Sequence, residues 1–449
     1  MLLALARQPL LDVDLYWHIR AGQELLDGVA ANRVGQTWSF APDPLPWVTT
    51  QWLAEVLFAL LHRVGGWDAL IAFRTLTTAA VLAILARATL ARRPVVLAAI
   101  PYLVAGASAV AVANERPQQV TLIAAALLGA VLRRGLVEGR LPRWWVFLPS
   151  MVLWANLHGG WVLGPAVLGL VGLARMFDHG VREPVAWRAF MLAAGSLVAG
   201  ILTPAGIGGV TAVTRFSDAA AAISEWAPTA PMSDIGYLTV AMLLAIGIAW
   251  ARPGAVPRSE VLVTLVLLLL AWSAWRYVTP ALLLMAPLVA HRLMLAFPRI
   301  GERPEPSWSR PAGVAAAGAL LMAGVLTIPT REPLPTAEWP IGLAQQIAEL
   351  EPGQDVLNDY NTAGIVLFFG GQDSRVGIDG RTDRYGAQYI ADYIDLTDLK
   401  GDWKALLDEL DPTSALLEDD SPLAYYLTES QGWSVVGQES GFTLLVKPT

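Results

Sequence analysis

Within seven residues, Asp12-Val13-Asp14-Leu15-Tyr16-Trp17-His18 assembles two carboxylates, two aromatic rings and an imidazole just ahead of a long apolar chain. A carboxylate in that setting can take a proton from a hydroxyl group, or hold Mg²⁺ or Mn²⁺ through its oxygens. Charge at the mouth of a helical bundle is tolerated when water, a partner or a substrate meets it. Asp12 and Asp14 are therefore the candidate catalytic pair and the candidate metal ligands. The bland alternative is that they mark where a helix leaves the bilayer.

Further polar residues recur in turns between apolar stretches. They are His18 and Arg20 beside the acidic pair, Arg74 about two turns inside a helix, Arg116 in Asn114-Glu115-Arg116-Pro117, His158 in Asn156-Leu157-His158-Gly159-Gly160, Glu225 in Ser224-Glu225-Trp226, and Arg276 in Trp275-Arg276-Tyr277. Guanidinium offers permanently charged, bidentate contacts to phosphate or pyrophosphate, and aromatic faces suit sugar rings. These residues are the candidates for holding a donor phosphate or an acceptor. Each also has a structural reading: Arg74 snorkelling to headgroups, His158 capping a helix end, Glu225 as a solvated loop acid. In the C-terminal region, Asp379-Gly380-Arg381-Thr382-Asp383 places two acids and an arginine on a loop leaving a strand. Asp379, Arg381 and Asp383 either close over the site to bind acceptor or cation, or brace a turn.

The elements that must position these groups follow from composition. Of 449 residues, 55% are hydrophobic and 15% charged, with mean hydropathy +0.49, the profile of a polytopic membrane protein. The absence of cysteine excludes disulfides, Cys-zinc sites and thiol catalysis. Net charge is −7 and no basic recognition face is present, so nucleic acid is not an expected partner.

Apolar stretches near 67–90, 94–113, 118–133, 144–157, 161–176, 187–204, 236–251, 259–274, 277–297 and 311–329 approach the ~20 residues needed to cross a bilayer. An α-helical bundle of about 10–11 transmembrane helices is expected. Alternate connections collect the arginines: Arg87, Arg92 and Arg93, then Arg133, Arg134, Arg140 and Arg143, with later clusters near 175–188, 252–258 and 292–310. Intervening connections are poor in them, so the rich set is cytoplasmic. The loop 12–66, the turns near 114–118 and 157–160, the loop 205–235 and the region after 330 are then extracytoplasmic. Residues 51–64 read as an interfacial amphipathic helix ended by Gly65-Gly66. Only Met1–Leu11 precede Asp12, about half a span, so Asp12 follows either a truncated span or a half-helix.

From about 336 the chain turns polar, and strands alternate with helices in a small α/β domain spanning 336–449 that is large enough for its own core. Strands are expected near 355–358, 375–378 and 413–417, with a terminal pair ending at Val446. Helices are expected near 336–350, 362–369, 386–397, 402–410 and 421–430, and Asp419 and Asp420 as a strand-to-helix cap.

The pattern Asp12-Val13-Asp14-Leu15-Tyr16-Trp17-His18-Ile19-Arg20-Ala21-Gly22 resembles that of bacterial membrane proteins with Asp-x-Asp-Leu-Trp-Trp-His-Leu-x-x-Gly and, more widely, the GT-C superfamily of polytopic glycosyltransferases, which includes protein O-mannosyltransferases and aminoarabinose transferases. Gln51-Trp52-Leu53-Ala54-Glu55, Thr203-Pro204-Ala205-Gly206 and Asn358-Asp359-Tyr360-Asn361 extend the resemblance, as do the turns quoted above, over nearly the whole chain. It implies a GT-C-like transmembrane domain over 1–330 and an inverting enzyme of the bacterial inner membrane using a polyprenyl-phosphate-linked sugar. It also implies an Asp base in the first outer loop, and a glycan, lipid or protein acceptor. Alternatives are a non-catalytic carrier or flippase of lipid-linked glycan, which needs a continuous polar path, and a scaffold with partners in an envelope complex. Proton-coupled transport would place acids at mid-membrane, where these helices are almost uncharged.

Overall fold

The computed structural model describes residues 2–10, 12–90, 95–208, 224–251, 256–298, 322–323 and 333–448. Apolar side chains without interruption leave the backbone one economical way to satisfy its N–H and C=O groups in lipid, the helix. Each expected span holds one except 311–329, which apart from 322–323 lies outside the described residues. These are α3 (Trp52–Thr89), α4 (Val95–Ala111), α5 (Gln118–Glu138), α6 (Trp144–Leu157), α7 (Leu163–His179), α8 (Pro184–Ile201), α9 (Asp234–Trp250), α10 (Arg258–Ser273) and α11 (Val278–Ala296). They follow a five-residue α1 (Leu2–Ala6) and α2 (Asp14–Leu26). Among the described residues, five helical segments are long and apolar enough to cross a membrane, and the protein is multi-pass. The helix expected over 51–64 forms the first part of α3 and ends in the backbone break at Gly65 and Gly66, where Gly66 has φ 58° and ψ −150°. That conformation is open to glycine and closed to residues with a Cβ.

The described chain divides into two compact units, one gathering residues within 2–8, 71–206 and 224–298, the other 9–70 and 333–448. In the first unit α11 is central, packing against α4, α5, α9 and α10. Small and hydroxylic residues permit the close approach: Ser108 and Thr279 hydrogen-bond at 2.6 Å, and a Cβ on Gly129 would meet Leu283 O at 2.5 Å.

The second unit joins the loop after α2 to the C-terminal region. Its sheet has order β2-β1-β3-β5-β4, with β1 (Asp355–Asn358), β2 (Arg375–Val376), β3 (Ser414–Glu418), β4 (Ser434–Glu439) and β5 (Phe442–Val446). β1 runs parallel to β2 and β3, and β5 antiparallel to β3 and β4. The helices are α12 (Ile341–Ile347), α13 (Ala363–Phe369), α14 (Thr382–Thr397), α15 (Trp403–Leu410) and α16 (Pro422–Glu429). Two differences from expectation have local causes. α12 starts at Ile341 because Pro340 bars the preceding residue from helical backbone. β2 stops at Val376, where the next N–H, of Gly377, is shared between Val356 O at 3.3 Å and the Asn358 side chain, Oδ1 at 3.0 Å.

This sheet does not close its core alone. Trp17, Ala21, Val34, Trp38 and Trp47 from α2 and its following loop pack in one cluster with Val356, Val366, Val376, Leu416 and Leu444. Backbone bonds add the loop to the sheet edge beside β2, Val376 N–H donating to Trp38 O at 2.8 Å and Phe40 N–H to Val376 O at 3.2 Å. The loop 12–66, expected as part of the transmembrane domain, is grouped by its contacts with the C-terminal region.

Candidate active site

Asp12 and Asp14 have different surroundings. Asp12 is buried, and its Oδ1 accepts the Asp14 N–H at 3.0 Å, satisfying an orphan donor at the start of α2. Asp14, in the first helical turn, is only half-buried, and its Oδ1 accepts Trp17 Nε1–H at 3.0 Å. Trp17 in turn lies against the His18 ring, centroids 3.6 Å apart. His18 Nδ1 stands 3.6 Å from Glu55 Oε1 with both side chains buried, while Glu55 Oε2 accepts from Thr49 Oγ1 at 2.7 Å. Glu55 was quoted in the sequence pattern without a role. Its partner could not be read from spacing, because 37 positions separate Glu55 from His18.

Arg20 donates to two backbone carbonyls, Leu367 O and, at 2.6 Å, Gln372 O, and so braces the end of α13. The Asp379-to-Asp383 motif also braces. Asp379 and Arg381 are buried, Arg381 Nε and Nη2 meeting the carboxylate at 2.9 and 2.6 Å, while Tyr385 OH donates to Asp379 Oδ2 at 2.8 Å. Burial works to raise the Asp379 carboxyl, but the Arg381 charge and its hydrogen bonds overcome this and hold it below its usual range. The same pairing raises Arg381 against its own burial. Arg381 Nη1 donates to Gly35 O at 2.6 Å, and its guanidinium lies between the Trp38 and Trp47 rings at 4.8 and 5.1 Å. Asp383 Oδ1 accepts from Trp47 Nε1 at 3.1 Å, and burial pushes its carboxyl up to about 6. The motif nonetheless reaches the acidic pair, for a Cβ on Gly380 would sit 2.6 Å from Asp14 Oδ1. Asp419 caps no helix: its Oδ1 accepts from Thr443 Oγ1 at 2.5 Å.

In the bundle unit, Arg74 is buried and donates to Leu5 O at 2.7 Å and Gln8 O at 2.6 Å, and pairs with Glu115 at 2.5 Å. It neither snorkels nor points to solvent; it ties α1 and the 114–117 turn to α3. Arg116, Glu225 and Arg276 come together. Arg116 Nη1 donates to Glu225 Oε1 at 2.9 Å with both groups partly exposed. The Arg276 guanidinium lies 4.5 Å over the Trp226 ring and feels both Glu225 and Arg116 electrostatically. His158 Nδ1 accepts from Gly160 N–H at 3.0 Å and lies 2.7 Å from Thr121 Oγ1, which accepts from Trp154 Nε1–H at 3.0 Å. An Nδ1 that accepts from a backbone N–H carries no proton, so the neutral ring keeps its proton on Nε2 and can donate from there. Thr121 had no signal in the sequence beyond being a helical threonine.

Among the described residues, no group of three or more His, Asp or Glu side chains stands close enough to hold a metal.

The chain shares its fold with the solved structures of ArnT and AftD. It is similar to ArnT from Cupriavidus metallidurans in the apo state, with TM-score 0.53 and 14% identity over 100% of this chain and 97% of that one. ArnT bound to undecaprenyl phosphate gives TM-score 0.52 and 14% identity over 99% and 96%. The mycobacterial arabinofuranosyltransferase AftD gives TM-score 0.51 and 16% identity over 100% of this chain and 41% of that one. No protein-family model matches the sequence, nor does any curated protein.

Proposed function

We propose that the chain is an inverting glycosyltransferase that moves a sugar from a polyprenyl-phosphate donor to an acceptor hydroxyl, with Asp14 as general base. The observation that carries this is Asp14 itself: the half-buried acid of the pair, on the first turn of α2, in a chain with the GT-C fold throughout. Asp14 takes the proton of the acceptor hydroxyl, and the oxygen attacks the anomeric carbon. The bond from that carbon to the phosphate oxygen breaks, and polyprenyl phosphate departs with its electron pair. Attack opposite the leaving group inverts the centre. Asp12, its oxygen engaged by the Asp14 N–H, is a positioning residue.

ArnT binding undecaprenyl phosphate supports a lipid-linked donor here. Arg116 and Arg276 suit a phosphate, since the Arg116 guanidinium is partly exposed beside Glu225 and Arg276 is presented on an aromatic face. His158 Nε2–H suits a phosphate or acceptor oxygen. A divalent cation fits poorly, because among the described residues no three His, Asp or Glu side chains gather to hold one, and Asp12 and Asp14 each already accept a hydrogen bond; no step above uses one. The same reading puts the chain in the bacterial cytoplasmic membrane, arginine-rich connections inside and the C-terminal region outside, with a glycan, lipid or protein acceptor.

The test is transfer of labelled sugar from polyprenyl-phosphate donors by the purified full chain. Asp14→Asn is expected to lower turnover by about 10²–10⁴-fold, and undiminished turnover would sink the assignment. Mass spectrometry of co-purified lipid names the donor.

A further inference from the structure

We infer that the turn Asp379-Gly380-Arg381 positions the Asp14 carboxylate, acting through the side chain that Gly380 lacks. The inference rests on Asp14 being the base.

At Gly380 a Cβ would lie 2.6 Å from Asp14 Oδ1, 3.3 Å from its Cγ and 3.1 Å from Trp17 Nε1. The turn backbone therefore lies directly on the carboxylate and its indole donor, at a distance where any side chain at 380 would push the carboxylate aside. Both flanks of the turn are held. Asn358, fully buried, receives Gly377 N–H on Oδ1 and donates from Nδ2 to Ile378 O at 3.0 Å, fixing the approach. Beyond Gly380, Arg381 is bound to Asp379 through three nitrogens, its own N–H included at 2.9 Å. Its remaining reach goes to Gly35 O and the two tryptophan rings. A second glycine grips the same segment from α13, since a Cβ on Gly364 would strike Val13 O and lie 3.6 Å from Trp17 Cδ1.

A network built only to stabilise a turn has no need to present its glycine to a half-buried acid. A buried Asp–Arg pair fixes geometry because both partners are lost if either moves, and fixed geometry is what a general base requires. Displacement of about 1 Å at a reacting group can cost about 10²-fold in rate.

The experiment compares Gly380→Ala and Asp14→Asn, singly and together, in the full chain, by kcat, donor KM and thermal melting. Gly380→Ala is expected to keep its melting transition and its donor KM, to lose about 10²-fold in kcat, and to add nothing to Asp14→Asn, since its effect passes through that carboxylate. Unchanged kcat in Gly380→Ala, with Asp14→Asn inactive, overturns the inference and leaves the base standing. An equal Gly380→Ala loss on both backgrounds also overturns it. Full activity in Asp14→Asn overturns the base, and the inference with it. If Gly380→Ala does not fold, Arg381→Lys carries the test: it keeps the charge and loses the bidentate grip, so kcat should fall at constant KM, and an unchanged kcat overturns the inference.

Discussion

The bundle unit and the loop-plus-sheet unit use the same residue, arginine, at different ranges. In the bundle, arginine side chains bond over short to middle ranges: Arg133 to Glu138, 5 positions away, Arg175 to Glu183, 8 away, Arg292 to Glu260, 32 away, Arg74 to Leu5, 69 away, and Arg116 to Glu225, 109 away. In the second unit, Arg20, Arg381 and Arg384 reach across 347, 346 and 348 positions to Leu367, Gly35 and Gln36. Bundle pairs neutralise charge at helix ends, where an unpaired charge near lipid is expensive. The long-range set performs assembly, fastening α2 and its loop to the sheet.

That contrast can be broken in order of size. Arg381→Ala leaves Asp379 buried and unpaired, and is expected to cost about 3–5 kcal/mol; loss of thermal stability together with protease cleavage within 33–47 checks it. Cleavage elsewhere, with that loop still protected, would mean Arg381 does not fasten it. Arg74→Met removes a pair inside the bundle and should cost about 1–3 kcal/mol, the range for a buried group left unsatisfied. Most of that should return in Arg74→Met with Glu115→Leu, measured by melting in detergent, and a double variant no better than the single would show that the backbone bonds to Leu5 and Gln8 dominate.

Asp359 gives a pH-dependent difference. Burial, with Glu418 and Asp420 nearby, pushes its carboxyl up to about 7 against the opposing Glu418 N–H bond. The folded chain thus keeps a proton that the unfolded chain releases near pH 4. Stability from this group falls as pH rises from about 4 through about 7, and is level above. Asp359→Asn should therefore melt higher than the parent at pH 8, with the gap closing toward pH 4; a gap independent of pH would assign the effect to packing. Least affected is Arg140→Gln, whose 3.8 Å pair with Glu138 is 80% exposed on the arginine side, and which should change stability by less than about 0.5 kcal/mol.

Legibility followed the same division. The spans were readable because lipid imposes a helix wherever apolar residues run on, and β1 was readable to the residue from its apolar run between polar turns. Arg116, Glu225 and Arg276 were each visible as polar residues in turns, but their meeting was not. Arg74 was misjudged because its partners, two carbonyls and Glu115, leave no trace in side-chain pattern. Arg20 failed for the same reason.

The sequence alone determined where helices and strands form and which residues carry charge at their ends, since hydrophobic period and backbone satisfaction are local properties. Only the tertiary structure decided that Trp38 and Trp47 enclose Arg381 and that Gly380 rests on Asp14. Contacts between segments more than 300 positions apart have no period to reveal them, and they form only when a shared apolar core brings both segments in.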